Sequence, residues 1–500
     1  MDNLLTILIL LPMTAAVILL LFLRGDDAIA QRNARRLALT ATLSTFAVVL
    51  FILGHIDLSD PGPQLVEDRE WAVGIRYLLA VDGVSLPFLA MITALFPFAV
   101  AAEWGADWRV KERMLGLLLA ESFAIGALVS ADLVLFFLFF QSLALPVFLL
   151  VGVFGGAGRA RAAREYVATG LAGAALALAA ILWMRFEAGG TGMADLARHV
   201  FPDAALDLWL FTLPGGVQSL VFLCFSLWLA LHLPLFPLHR WAMNAAREGG
   251  RSARFLIVVV VAPIALYALL RIVVPLVPAG AALGLPYLAA AALVALFYGA
   301  LTALLAPDLE QLTLRAALAW MGLLGLAATG ANPVSASAVA SGVWAYGLAV
   351  SGLIFAASFL FDRVRHTDIS RIGGVLVRMP MLGVTALVLI ASMLALPGTA
   401  GFVALLRALV GAGGIDQLLL ILLAFLPLIF ALMNAYRRVF FGEFMRASLK
   451  GAGDLGRREG AILWLLALAV LLLGLAPWLV DPLAIPGAVE MGGADVSVGS

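Results

Sequence analysis

The chain has 500 residues, of which 64% are hydrophobic and only 12% are charged, and its formal net charge is zero. This apolar share exceeds that of a soluble domain and predicts an all-α polytopic membrane protein. Zero net charge gives no electrostatic reason to expect a nucleic-acid partner. The single cysteine, Cys224, lies in an apolar run, which excludes a disulfide framework and a thiolate metal cluster.

Apolar runs of about twenty residues can cross a bilayer as helices, and they predict fourteen transmembrane helices here. In chain order the predicted helices cover 3–23, 37–56, 84–104, 113–130, 132–153, 166–185, 217–237, 254–275, 285–306, 312–330, 335–361, 379–412, 416–436 and 461–480. The first run is predicted to be a retained helix and not a cleaved signal peptide.

Basic residues are distributed unevenly between the predicted connections. Those that follow the odd-numbered helices hold most of the Lys and Arg of the chain, whereas the segments 57–83 and 186–216 are rich in Asp and Glu. Because Lys and Arg accumulate in cytoplasmic loops, this pattern predicts a membrane protein with both termini on the outer side.

Two predicted spans contain helix-breaking residues. The stretch LALHLPLFPLHRW (229–241) carries Pro234 and Pro237, and LALPGTAGF (394–402) carries Pro397 and Gly398. Each proline removes a backbone donor and opposes a continuous helix, so both spans should be broken at membrane depth. Paired breaks about 160 residues apart indicate two inverted repeats of five helices each.

The predicted repeats divide the chain into four parts. Residues 1–112 hold three N-terminal helices and an outside loop, and 113–275 form the first repeat. Residues 285–436 form the second repeat, and 437–500 hold a C-terminal loop and the last helix.

Several stretches, in the same order along the chain, carry a family resemblance. They include AVDGVSLP (80–87), PLFPLHRW (234–241), FYGALTALLAPDLEQL (297–312), FDRVRHTDISRIGG (361–374) and LPGTAGF (396–402). From about residue 80 to 445 the chain resembles subunit M of bacterial NADH-quinone oxidoreductase (respiratory complex I; chain 4 in mitochondria). That subunit lies within the wider family that includes the Mrp cation/proton antiporters. The resemblance implies fourteen helices, two inverted repeats, and breaks in the seventh and twelfth helices. It also implies a place in the bacterial inner membrane, where the outer side that holds both termini is the periplasm.

The resemblance also implies a proton path built from buried ionisable side chains. Such groups suit proton movement because burial shifts their pKa values readily. The family places glutamate on the fifth helix, lysine at the seventh-helix break and on the eighth helix, and lysine or glutamate on the twelfth. The matching positions in this chain hold Gln141, His232, Pro263 and Leu405. Family histidines of two further spans match Trp320 and Tyr346, and a family lysine matches Glu310.

Five residues are candidates for a remaining proton path: Glu121, Gln141, His232, His239 and Arg407. A carboxylate or imidazole at membrane depth can hold a mobile proton, whereas an arginine cannot release one and a glutamine stores no charge. The alternative for Glu121 and His232 is a neutral, hydrogen-bonded packing role. For His239 the alternative is capping of loose backbone at the break.

Two hypotheses follow for function. One is a degenerate membrane-arm subunit that seals the assembly and bridges neighbouring subunits with a reduced or lost proton path. The other is an active proton-translocating subunit that uses a modified relay, or the same module in a hydrogenase, a multi-subunit antiporter or an inorganic-carbon uptake complex. In either case FMN, iron–sulfur clusters and quinone are expected only in partner subunits, and this chain has no redox site of its own. We expect other membrane-arm subunits and the lipid bilayer as partners.

Overall fold

The computed structural model describes residues 3–22, 27–58, 60, 62–72, 75–208, 211–330, 333–411, 414–442 and 453–480. Up to the first break its helices are α1 (Leu4–Leu21), α2 (Ala28–Leu53), α3 (Ser85–Ala102), α4 (Val110–Val129), α5 (Leu133–Ser142), α6 (Ala144–Phe154), α7 (Arg159–Ala188), α8 (Met193–Arg198) and α9 (Gly216–His232).

The helices continue after the break with α10 (Arg240–Glu248), α11 (Arg251–Phe255), α12 (Ala262–Ala268) and α13 (Val274–Leu276). Two π-helical segments, Leu256–Val261 and Leu269–Val273, join the last three of these into one continuous span. The remaining helices are α14 (Pro278–Ala303), α15 (Leu309–Ala328), α16 (Pro333–Val364), α17 (Val375–Arg378), α18 (Pro380–Met393), α19 (Ala400–Gly411), α20 (Ile415–Phe441) and α21 (Arg457–Leu475).

Within the described ranges, eleven helical segments are long and apolar enough to cross a membrane, and α9, α18 and α19 are shorter apolar helices. The all-α membrane fold is therefore confirmed. Every predicted helix except 113–130 overlaps one of these segments, and 113–130 coincides with α4 (Val110–Val129), whose first turn is charged. The count of fourteen spanning helices and the inverted repeats stay predictions. The predicted span 379–412 comes as two helices, α18 and α19.

Several helices begin earlier than hydropathy alone predicts. The second helix was expected from residue 37, but it starts at Ala28, where the Asp27 carboxylate accepts a hydrogen bond from the backbone N–H of Ala30. Its first turns carry the exposed Arg32 and Arg36. These polar first turns precede the apolar run, so hydropathy does not detect them. They are helical because the Asp27 side chain caps the helix at its N-terminus.

Helix α16 occupies the centre of the packing. It contacts α3, α15, α18, α19 and α21, and 94% of its apolar span is buried within the chain. By contrast the corresponding share is 28% for α14 and 33% for α21. Because these helices keep most of their apolar surface on the outside, they form the bilayer-facing or partner-facing shell.

Two small β-hairpins were not predicted. Strands β1 (Gln64–Ala72) and β2 (Ile75–Val81) pair antiparallel, as do β3 (Leu206–Leu208) and β4 (Phe211–Leu213). The first hairpin is attached to the start of α1, because the buried Glu67 carboxylate accepts from the N–H of Leu5 at 2.6 Å. Both hairpins fall in the acidic segments that the sequence places outside.

The four predicted parts of the chain stay a prediction. Their boundary at 112/113 falls inside α4, and the predicted start at 285 falls inside α14. In the fourth part, residues 443–452 and 481–500 lie outside the described residues, as do residues 1 and 2 at the other end of the chain.

Candidate functional site

The first break separates α9 from α10. Helix α9 ends at His232, α10 begins at Arg240, and Pro234 and Pro237 lie between them. Neither proline can donate to a helical carbonyl. The interruption thus lies where the sequence predicts it, and it leaves His232 and His239 on opposite sides of the broken segment.

Gln141 and His232 meet across α7 at Gly170. A Cβ atom added at Gly170 would lie 3.8 Å from Nε2 of His232 and 3.9 Å from Nε2 of Gln141. The Gln141 amide donates to the carbonyl of Gly170 over a long 3.5 Å, and its Oε1 has no hydrogen-bond partner in the described part of the chain. Two of the sequence-predicted site residues are therefore brought together, at the position where a small residue leaves room for both.

The His232 imidazole is buried and packs against three aromatic rings. Its ring centroid lies 5.0 Å from that of Phe140, 6.2 Å from Trp228 and 6.0 Å from Trp241. Its Nδ1 bonds to the carbonyl of Trp228 at 2.9 Å. Because a carbonyl can only accept, Nδ1 carries the hydrogen, and in the neutral ring Nε2 is the accepting nitrogen that faces Gly170.

The second break separates α18 from α19. Helix α18 ends at Met393, α19 begins at Ala400, and Pro397 and Gly398 lie between them, with Gly398 at a φ of +87°. A positive φ favours glycine, which has no Cβ to clash with the backbone. The indole Nε1 of Trp320 donates to the Met393 carbonyl at 2.9 Å, and so satisfies a backbone acceptor at the end of α18.

Pro263 lies inside a fully buried span that adapts to it. The π-helical segment Leu256–Val261 precedes it, and both neighbouring turns of α12 are buried. The missing N–H of a proline disturbs the regular hydrogen-bond ladder of a helix, and wider turns accommodate that disturbance. The hydroxyl of Tyr346 donates to the Val258 carbonyl in this segment at 2.9 Å.

The remaining candidates have separate surroundings. Glu121 on α4 has no exposed surface, and neither carboxyl oxygen has a hydrogen-bond partner among the residues that the structure describes. Arg407 and Leu405 lie on α19, where the Arg407 side chain lines a small gap beside Trp344. His239 is buried between the rings of Phe236, at 5.9 Å, and Tyr298, at 4.8 Å.

Sequence reasoning missed two ion pairs made by basic residues of the span that contains Pro263. Arg254 pairs with Glu310 at 2.8 Å, and Arg271 pairs with the buried Asp82. Each pair joins residues far apart in the chain. Glu310 stood out in the sequence only as a charge reversal at a family lysine, and no sequence signal identified Arg254, which lies 56 residues away, as its partner.

Sequence reasoning also missed what Trp320 and Tyr346 do. Both stand at positions that match family histidines, and both are fully buried, with polar hydrogens donated to backbone carbonyls. Their amphipathic rings inside apolar spans are the signal that predicts such bonds, since a buried indole N–H or phenol needs a partner. In place of titrating side chains, these two positions hold donors that bind backbone.

Comparison with known proteins agrees with this architecture. The family described as "NADH:quinone oxidoreductase/Mrp antiporter, TM" matches residues 130–430. The chain is 35% identical to NADH-quinone oxidoreductase subunit M of Rhodobacter capsulatus over 495 residues, which is 98% of this chain and 96% of that protein.

Solved structures agree as well. A chain of respiratory complex I from Thermus thermophilus with bound NADH superposes with a TM-score of 0.85 at 26% identity, over 98% of this chain and 100% of that chain. A chain of the Mrp complex from a Dietzia species shares the fold, with a TM-score of 0.84 at 17% identity over 99% of this chain and 98% of that chain. This chain therefore belongs to the family of NADH:quinone oxidoreductase and Mrp antiporter membrane subunits.

Proposed function

We propose that this chain is an antiporter-like membrane-arm subunit of an NADH-quinone oxidoreductase assembly of the complex I type, with a reduced or lost proton path. The relative from Rhodobacter capsulatus, which matches over nearly the full length of both chains, is named subunit M of that enzyme. Flavin, iron–sulfur clusters and quinone would then reside in partner subunits, and this chain would contribute to the membrane arm, with both termini on the periplasmic side.

The meeting of Gln141 and His232 at Gly170 carries the proposal for a reduced path. The resemblance places a carboxylate and an ammonium at these two positions, and such a pair could exchange a proton. Here an amide that stores no charge faces an imidazole that packs among three aromatic rings. At the next carrier position Pro263 offers no side-chain proton at all.

One feature of this site supports the second candidate, an active subunit with a modified relay. The accepting Nε2 of His232 and the side-chain Nε2 of Gln141 both lie near Gly170, and Oε1 of the same Gln141 amide has no hydrogen-bond partner in the described chain. Ordered water between them could pass a proton to the imidazole, since histidine titrates near neutral pH when unperturbed. The two candidates make opposite predictions for His232.

The test is His232→Ala in the purified assembly, reconstituted into vesicles, with proton uptake measured per NADH oxidised. The proposal expects the same ratio as in the unaltered assembly, because a non-conducting site loses nothing when its imidazole is removed. The matched control is His55→Ala, at an exposed histidine outside the breaks. Loss of coupled proton movement in His232→Ala alone, with the assembly intact, would establish the relay instead.

The parent assembly is tested separately. An affinity tag on this chain should recover the NADH-oxidising and quinone-binding subunits, and deletion of the chain should prevent the membrane arm from assembling. Recovery of hydrogenase, antiporter or carbon-uptake subunits in their place would assign the module to one of those complexes.

A further inference from the structure

A cleft of about 280 Å³ lies beside the first break, between α10 and the neighbouring ends of α14 and α15. Helix α10 turns Arg240, Asn244 and Arg247 toward this cleft, at spacings that place them on one helical face. Glu248, on another face, instead accepts a hydrogen bond from the N–H of Gly158 at 2.9 Å. The face of α10 that lines the cleft is therefore cationic.

Helix α15 adds a third guanidinium, that of Arg315. Its Nη1 donates to the Thr302 carbonyl at 2.6 Å and its Nη2 donates to Oε1 of Gln311 at 3.1 Å, which holds it at the cleft wall. The Asp308 carboxylate is already bonded to the backbone and the side-chain amide of Gln311, at 2.7 and 2.8 Å. Among the residues that the structure describes, no Asp or Glu lines the cleft.

His239 supplies an independent sign of a ligand. Its side chain lines the cleft and is 7% exposed, yet its Nδ1 has no hydrogen-bond partner in the described ranges. Arg240 and Arg247, both exposed, likewise make no hydrogen bond or ion pair within those ranges. A buried polar atom without a partner is costly, which favours a bound group that accepts or donates at this point.

We propose that this cleft binds the phosphate of an anionic phospholipid headgroup. Guanidinium groups stay charged and match phosphate oxygens geometrically, and basic pockets at the ends of membrane helices recognise such headgroups. The cleft is also lined by Leu305, Leu314 and Leu318, which suit the first part of an acyl chain. A soluble phosphate ion offers the same anionic chemistry but would leave these leucines uncovered.

The binding test uses the full chain in detergent, with native mass spectrometry in the presence of phosphatidylglycerol or phosphatidylcholine of the same acyl chains. We expect one phosphatidylglycerol to be retained in preference to phosphatidylcholine. The double variant Arg240→Gln/Arg247→Gln should bind phosphatidylglycerol at least about tenfold more weakly, since two charge-assisted contacts are lost. The variant Arg240→Lys/Arg247→Lys, which keeps both charges, should retain part of the binding.

The matched control is Arg32→Gln/Arg36→Gln, which removes two exposed charges from α2 at the predicted cytoplasmic side. It should bind the lipid as the unaltered chain does. Equal losses in the Arg240/Arg247 and Arg32/Arg36 glutamine variants, or equal retention of both lipids, would overturn the proposal. Because the isolated chain is measured, failure here would be distinct from failure of the proposed membrane-arm role.

Two further measurements identify the source of the anion. A large molar excess of inorganic phosphate should leave the bound phosphatidylglycerol in place, and its displacement would assign the cleft to soluble phosphate. A photoreactive residue at Asn244 should form a phospholipid adduct in native membranes. An adduct with a neighbouring protein would show that an acidic partner segment, and not a lipid, fills the cleft.

Discussion

Trp320 stands where the resemblance places a histidine, and its indole binds the backbone at the second break. Its Nε1 donates to the Met393 carbonyl at 2.9 Å, and the side chain is 1% exposed. A carbonyl at the end of a helix needs a partner when water is excluded. The residue thus supports the broken helix and does not carry a mobile proton.

Trp320→Phe removes this hydrogen bond but keeps most of the aromatic volume. We expect a loss of about 1 to 3 kcal/mol in the free energy of unfolding, because the Met393 carbonyl is left unsatisfied in an apolar interior. The loss would appear as a lower melting temperature of the full chain in detergent.

Trp344→Phe provides the matched control for this substitution. The indole N–H of Trp344 has no hydrogen-bond partner in the part of the chain that the structure describes. Its replacement should therefore change the melting temperature less than Trp320→Phe does. Equal shifts in the two variants would mean that the Trp320 bond contributes nothing to stability.

At the level of elements, the second break depends on a close approach of its two helices. A Cβ atom at Gly401, in the first turn of α19, would lie 1.9 Å from the Ser392 carbonyl oxygen at the end of α18. Because the obstacle is backbone, it cannot rotate away as a side chain would. A glycine at 401 is required for this arrangement.

Gly401→Ala should therefore shift α18 and α19 apart and destabilise the chain by about 1 to 3 kcal/mol, as overpacking does in other buried sites. Thermal unfolding in detergent measures this change. Gly414→Ala is the control, because no atom of the described residues lies within 4 Å of a Cβ added there. A Gly401→Ala chain as stable as the control would show that the break does not need this contact.

A structural element could be predicted from the sequence where its cause lies in its own residues. Both breaks follow from prolines and glycines that act on their own backbone, so Pro234, Pro237 and Pro397 were sufficient to locate them. The hairpin β1–β2 and the π-helical turns around Pro263 were missed. They arise from pairing and packing with other segments, and a hydropathy window carries no information about those contacts.

The candidate site shows the same division. The resemblance placed Gln141 on the fifth predicted helix and His232 at the break of the seventh, but their meeting at Gly170 depends on how α7 packs against α9. The cleft beside His239 was not predicted either. Arg240 and Arg315 lie on helices that are far apart in the chain, and only the packing of these helices brings both side chains to one cleft. Glu121 was identified from the sequence as a carboxylate at membrane depth, and it is buried with no hydrogen-bond partner among the described residues.

At the level of the whole molecule, the distribution of basic residues predicts how the chain is oriented in the membrane. A chain whose only cysteine is replaced by Cys224→Ser can carry one new cysteine at Arg36→Cys or at Glu70→Cys, both of which are exposed positions. In intact cells with permeable outer membranes, an impermeant maleimide should label the second position and not the first. Labelling at Arg36→Cys alone would invert the predicted orientation.

The most direct test of the reduced proton path fills the space between Gln141 and His232. In Gly170→Ala the added methyl would make ordinary contacts of 3.8 and 3.9 Å with their nitrogens, so it should displace a bridging water without straining the helix. Gly152→Ala is the control, because within the described ranges the added Cβ would meet only the Ala163 Cβ, at 3.7 Å.

The quantity to measure is the number of protons moved per NADH oxidised by the reconstituted assembly. If the site no longer conducts, Gly170→Ala should give the same number as Gly152→Ala and the unaltered assembly. A lower number in Gly170→Ala, with full assembly and full NADH oxidation, would contradict the account and place an active relay between Gln141 and His232.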